Sequence, residues 1–244
     1  MAYSSHIEWT EASWNPITGC TKISDGCKYC YAERLAKRLK VMGQVKYTNG
    51  FKPTIHPECL DEPLLWKKSK MIFVCSMSDI FHEDVPIEFI RKIFSVMNTA
   101  NHHVFQVLTK RSQGMKEIAS SLEWTDNIWL GVTVESQDYI YRIQDLIETP
   151  AKTKFISFEP LLSEISYFPV QNIDWVIVGG ESGPKSREMK KEWVYEIRNQ
   201  CLDAGISFFF KQWGGINKKK NGRKLEGKIW DEMPSNKKTE LILV

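Results

Sequence analysis

The chain has 244 residues, 42% of them hydrophobic and 26% charged, with 12% aromatic residues that include nine tryptophans. That is globular composition, which excludes disordered, collagen-like and coiled-coil chains, and the length suits one α/β barrel. Lys+Arg 33 against Asp+Glu 30 leave +3, too balanced to announce a nucleic-acid binder by charge alone. No apolar run approaches the ~18 residues of a membrane span. Residues 1–10 lack a basic flank followed by an apolar stretch, so a soluble, cytoplasmic protein without a signal peptide is expected.

In chain order, a first strand is predicted around residues 13–17, followed by a loop holding Cys20, Cys27 and Cys30. A helix over residues 31–42 comes next, with Ala32, Leu35, Ala36 and Leu39 on one face and a Glu33/Lys37 pair on the other. Residues 43–70 carry Pro53, Pro57 and Pro63 and read as an excursion covering a site or one end of the fold. From residue 71 onward, short β-branched or aromatic runs recur at 71–75, 104–108, 128–132, 154–158, 175–178 and 206–210. Near-continuous apolar runs of this length are the mark of parallel strands buried on both faces. Helical spacing separates several of them, at 86–100, 138–148 and 192–204, the last closed by Gly205.

Strand and helix in alternation imply right-handed crossovers. About seven strands are expected, in a parallel (β/α) barrel that is partial rather than closed. A doubly wound sheet is disfavoured because no Gly-x-Gly-x-x-Gly turn follows an early strand; Gly179-Gly180-Glu181-Ser182-Gly183 comes late and is a weak phosphate-loop signal. The barrel is assigned residues 1–213, and residues 214–244 a basic hairpin and tail. Lys211, Lys218, Lys219, Lys220, Arg223 and Lys224 make residues 211–224 basic without an intervening acid. That stretch is a solvated loop or a phosphate contact.

The residues that end the strands carry the functional signal. They are Ser76, Ser78 and Asp79; Lys110 and Arg111; Thr133 and Glu135; Glu159; Glu181; and Lys211. In a parallel barrel these ends share one rim, where such folds place their ligands. Helix capping explains any one of them but not the whole set.

The cysteine spacing is Cys20-x6-Cys27-x2-Cys30, on the first strand-to-helix loop of that same rim. Three thiolates on one loop bind an iron–sulfur cluster or zinc, or form a redox thiol group. A closed zinc site wants four ligands, and His56 and Cys59 lie about thirty residues away. Cys75 and Cys201, set among apolar residues, read as core thiols.

This loop, with Tyr29 ahead of its last cysteine, resembles the radical S-adenosylmethionine (radical SAM) superfamily, although the usual first spacing is x3. The whole chain is similar to the phage Gp37/Gp68-like proteins, a phage- and prophage-borne family of unknown function. The matching stretches include Trp14 to Cys20, Gly26 to Glu33, Ser76 to Asp79, Leu108 to Arg111, Phe158 to Leu162, Gly179 to Pro184 and Phe210 to Gly214.

The resemblance implies a radical SAM enzyme in which Cys20, Cys27 and Cys30 ligate a [4Fe-4S] cluster. The open iron would chelate S-adenosylmethionine for reductive cleavage to a 5′-deoxyadenosyl radical, which abstracts hydrogen. Ser76, Ser78 and Asp79 would meet the methionyl amine, Lys110 or Arg111 its carboxylate, and Thr133 and Glu135 the ribose. Tyr29, Tyr31 or Trp213 would stack on adenine or pack in the core. Glu159, Glu181 and Lys211 would face the substrate. The Tyr29-Cys30-Tyr31 texture is also similar to DNA-repair lyases that reverse spore photoproducts. With the phage association and the basic stretch, it makes nucleic acid or a nucleotide the expected substrate. An electron donor of the flavodoxin or ferredoxin type is implied, with room for a partner protein. The competing class is a zinc-stabilised nucleic-acid-binding module without catalysis.

Overall fold

The computed structural model describes residue 5 and residues 7–234. In chain order the elements are β1 (Ala12–Trp14), β2 (Ile17–Thr18), α1 (Tyr31–Val41), β3 (Thr54–Ile55), β4 (Met71–Val74), α2 (Ile87–Thr99), β5 (Val104–Thr109) and α3 (Ser112–Ala119). There follow β6 (Ile128–Thr133), α4 (Tyr141–Ile147), β7 (Thr153–Phe158), β8 (Trp175–Gly179), α5 (Lys191–Ala204), β9 (Ser207–Gln212), α6 (Lys218–Asn221), and the hairpin β10 (Lys224–Leu225) and β11 (Lys228–Ile229). Seven strands form one parallel sheet in the order β1-β4-β5-β6-β7-β8-β9. The order never reverses, so the sheet curls one way into a half-barrel, the partial (β/α) barrel expected from the alternation. Among the described residues, no helix is long and apolar enough to cross a membrane.

Both faces of the sheet are apolar, which is why its strands read as unbroken hydrophobic runs. The outer face packs Val74, Val107, Val132, Ile156 and Phe210 against α2, α4 and α5 through Ile93, Ile143 and Ile197. The inner face carries Trp9, Phe73, Trp129, Phe155, Trp175, Ile177 and Phe209. Trp175 centres that cluster, edge-on to Trp9 and Trp129 at 6.1 Å and to Phe209 at 5.9 Å. Its indole N–H donates to the Glu232 carbonyl at 2.9 Å, so the C-terminal segment is tied to the inner face. These rings plug the half-barrel toward the N-terminal ends of the strands, leaving the lumen to open at the C-terminal rim.

The first strand differs from expectation. It runs only over Ala12–Trp14, and Ile17–Thr18 instead pairs antiparallel with Thr54–Ile55. Pro16 has no N–H to donate, which breaks the strand, and its carbonyl accepts from His56 N at 2.7 Å. The excursion over residues 43–70 therefore packs beside the cysteine loop, with the Phe51 carbonyl accepting from Cys20 N at 3.1 Å. Helix α3 had no strong pattern in the sequence. It is eight residues long with a glycine, Gly114, in its interior. The hairpin expected in the C-terminal stretch is β10–β11, and the tail beyond residue 234 lies outside the described residues.

Gly131 shows how tightly the inner face is filled. A Cβ there would stand 2.5 Å from the buried Phe155 ring, which is itself packed on Trp175 at 5.5 Å. Gly131→Ala is expected to destabilise the fold by about 1–3 kcal/mol, the usual cost of overpacking, read as a lower denaturation midpoint at unchanged m-value.

Candidate active site: a cysteine loop clamped on the barrel rim

The loop from Cys20 to Cys30 lacks regular structure apart from one short turn at Asp25–Cys27. Its backbone must therefore find partners elsewhere, and it finds them at four strand ends. Beyond β4, Cys75 takes a left-handed conformation (φ 58°) and turns the chain. Gly19 N then donates to the Met77 carbonyl at 2.9 Å, and Ser78 Oγ donates to the Gly19 carbonyl at 2.5 Å. Asn15 Oδ1 accepts from Ser76 Oγ at 3.2 Å and from Met77 N at 3.0 Å. No β-carbon would fit at Gly19, which sits against the Lys52 carbonyl with φ +83°.

The second clamp is Arg111, beyond β5. Its Nε donates to Glu83 at 2.8 Å, its Nη2 to Thr21 Oγ1 at 2.7 Å, and its Nη1 to Cys20 Sγ at 3.4 Å. Asp79 sits beneath, 3.6 Å from Arg111 Nη1, and accepts from Thr109 Oγ1 at 2.7 Å and Lys110 N at 3.0 Å. His82 is buried and completes this corner. Asp84 N donates to its Nδ1 at 3.0 Å, so Nε2–H faces Thr21 Oγ1 at 2.9 Å.

The third clamp is Glu135, beyond β6. It is fully buried with Arg142 of α4, whose Nη1 lies 2.7 Å from Oε2, while Ser24 Oγ donates to Oε1. Gly26 rests directly on the Glu135 side chain, where any β-carbon would collide. The fourth is Glu181, beyond β8. It takes Arg187 in a two-oxygen grip, at 2.9 Å from Nε and 2.6 Å from Nη2. Arg187 then donates to the Asp25 carbonyl at 2.9 Å and lies 5.4 Å from the centre of the Tyr29 ring.

The sequence-selected rim residues thus meet around one loop, in two groups. Ser76, Ser78, Asp79, Arg111, Glu135 and Glu181 have partners within the protein and hold the cysteine loop in place. Lys110 is half-buried on the lumen side, and among the described residues its ammonium has no acceptor. Thr133 is buried beside it, its carbonyl taken by Arg142 at 2.8 Å. Further round, Lys211 and Glu159 pair at 2.6 Å. Tyr31 donates to the Ser76 carbonyl, and Trp213 is edge-on to Phe210 at 4.8 Å with its N–H on the Lys224 carbonyl. Sequence reasoning missed Arg142, Arg187, Ser24, Thr21, Glu83 and Asn15. Asn15, Thr21, Ser24 and Arg142 lie within stretches named above, but what each does depends on partners distant in sequence, as Glu83 depends on Arg111, 28 positions away.

All three cysteines are free and half-buried. Burial, then the nearby Asp79 charge, pushes the Cys20 thiol up to about 11 against the opposing pull of Arg111. Without a bound cation this thiol stays protonated at neutral pH. Cys75 and Cys201 are buried and pushed upward by burial, as suits core thiols. Among the described residues, no three His, Cys, Asp or Glu side chains converge on a single-ion site.

Arg111 also holds the Glu83 carboxyl down to about 2, from an ordinary 4.5. Between those values the unfolded chain binds more protons than the folded one, so this contribution to stability is full above pH 4.5 and is lost as pH falls toward 2. Glu83 is largely exposed, and salt is expected to weaken the effect. A carboxyl NMR titration should place Glu83 near pH 2, and near 4.5 in Arg111→Gln. The Glu135–Arg142 pair follows different rules because it is out of water. Arg142→Met strands a buried carboxylate and is expected to cost about 3–5 kcal/mol in denaturant unfolding.

The chain belongs to the DUF5131 family, proteins of unknown function, whose family model matches residues 4–234. That match does not carry the Gp37/Gp68-like name. No curated protein is significantly similar in sequence. Among solved structures, the chain is similar to spore photoproduct lyase complexed with dinucleoside spore photoproduct, at 10% identity and TM-score 0.50. It is also similar to a double mutant of that lyase with bound AdoMet and dinucleoside spore photoproduct, at 11% identity and TM-score 0.51. Both alignments cover 82% of this chain and 63% of the lyase, so the chain spans less than two thirds of that protein's length. The fold is radical SAM-like.

Proposed function

We propose that this DUF5131 protein is a radical SAM enzyme whose Cys20, Cys27 and Cys30 hold a [4Fe-4S] cluster. The observation that carries the reading is the clamped loop: three free thiols on the first strand-to-helix connection, fixed over the mouth of a radical SAM-like half-barrel by Arg111, Glu135 and Arg187. The donor set fits. A single zinc gathers its sulfurs to about 2.3 Å from one point, whereas a cluster takes each cysteine on a different iron and needs no such convergence. When bound, with S-adenosylmethionine and one electron from a flavodoxin- or ferredoxin-type donor, the cluster supplies a 5′-deoxyadenosyl radical that abstracts hydrogen from substrate.

The chain's own residues divide the remaining work. Arg111 fixes Cys20, and Asp79 fixes Arg111 and the Lys110 backbone. Lys110 is left as the cation for the methionyl carboxylate, through a charge-assisted hydrogen bond. Thr133 Oγ1 is the rim hydroxyl for the ribose. Ser76 and Ser78 shape the edge where the methionyl amine would sit. Glu135 acts on the loop through Ser24 and Gly26 rather than on a ribose, and Glu181 acts through Arg187. Glu159 and Lys211 face the substrate across the lumen.

Anaerobic purification and reconstitution should give a brown protein with about four irons per chain. Dithionite and S-adenosylmethionine should then release 5′-deoxyadenosine, and Cys27→Ala should abolish both iron and release. A colourless protein holding one zinc, or release unchanged in Cys27→Ala, would overturn the assignment.

A further inference from the structure

Three rim arginines, Arg111, Arg142 and Arg187, each meet a carboxylate. Arg223 does not. It is the residue just before β10, and its Nε and Nη2 are buried without a hydrogen-bond partner among the described residues. Its guanidinium carbon lies 5.1 Å from the centre of the Phe209 ring, on the inner face of the half-barrel. The segment carrying it is held firmly. Trp213 N donates to the Gly222 carbonyl at 3.2 Å, Trp213 Nε1 to the Lys224 carbonyl at 2.9 Å, and Leu225 is fully buried.

No acid among the described residues pairs with Arg223, including Asp231, whose backbone bridges to Phe209. Glu159 is paired with Lys211 at 2.6 Å, Glu226 with Arg198 at 2.5 Å, and Glu232 accepts from Phe208 N at 3.0 Å. The Phe209 face supplies a cation–π contact but no hydrogen-bond acceptor. Arg223 is half-buried, and two of its guanidinium nitrogens are out of water without an acceptor, which is costly; an oxyanion presenting two oxygens to that fork is the ligand that best offsets the cost. Lys220 and Lys224, both exposed, continue the positive charge outward along the same segment.

We propose that Arg223 is the recognition residue for a phosphate group of the substrate, bound in the half-barrel lumen beside the Lys211–Glu159 pair. The proposal rests on the radical SAM reading only in calling that ligand the substrate; the phosphate site itself follows from Arg223 and its surroundings. A nucleotide's terminal phosphate and a diester within a strand present the same oxygens, and the arms of the test separate them.

The anaerobically purified protein is titrated with a nucleoside monophosphate and with a ten-nucleotide single-stranded oligonucleotide, following tryptophan fluorescence. At least one should bind, and Arg223→Gln should weaken it tenfold or more. Arg223→Lys, which keeps the charge but loses the fork, should fall between. Lys220→Gln should change affinity less than threefold. If the strand binds more tightly, the substrate is a polynucleotide, and the slope of log K against log salt should fall by about one in Arg223→Gln. If the monophosphate binds at least as well, it is a nucleotide. Thermal unfolding without ligand checks the variants: Arg223→Gln should be at least as stable as the parent, because it removes an unpaired buried charge. Failure of both probes to bind, or undiminished binding in Arg223→Gln, would overturn the proposal. Iron content and 5′-deoxyadenosine release, measured on the same preparations, report separately on the cluster reading.

Discussion

Buried guanidinium groups govern this rim because the loop they hold cannot hold itself. Eleven residues from Cys20 to Cys30 contain one short turn, so most of their amides and carbonyls need partners from outside. Three of the four clamps are an arginine fork or a carboxylate rooted at the end of a different strand, and the first is the Met77 carbonyl and Ser78 hydroxyl beyond β4. Arg142 and Glu135 are 1% and 0% exposed. A pair so deep gains little net stability over an apolar filling of the same volume. What it gives instead is direction: one carboxylate oxygen is fixed on Arg142 and the other is aimed at Ser24. The arrangement favours placement of the loop over stability of the fold, as expected of a site that must be preorganised.

The same logic explains what could be read from the sequence. Parallel strands buried on both faces leave apolar runs that stand out without any structure, and the topology then sends their ends to one rim. Asp79, Glu135, Glu181 and the cysteines were visible for that reason. Their partners were not, because nothing local marks them. Arg142 lies on a helix among isoleucines, and Arg187 lies in a loop; each reaches back more than a hundred positions to Ser24 or Asp25 through its contacts. The consequence for roles is concrete. A carboxylate at a strand end reads as a cofactor ligand until its oxygens are counted, and Glu135 has both oxygens taken. The broken first strand was hidden for a different reason. Pro16 interrupts pairing while the residues around it stay as buried as strand residues, with Trp14 and Ile17 both fully enclosed.

Charge is distributed unevenly around the lumen, and the unevenness is functional under the proposed chemistry. On the cysteine side, Asp79, Glu83, Glu135 and Glu181 face Arg111, Arg142 and Arg187. With the Lys110 ammonium beside them, that is four carboxylates against four cations, a balanced set before any thiol ionises. On the opposite side, Glu159 answers Lys211 and nothing answers Arg223. Under the proposed reading, the unanswered Arg223 is what draws a phosphate toward the second side. Beside the apolar floor of Trp175, Phe155 and Phe209, that single unanswered charge is weakly screened.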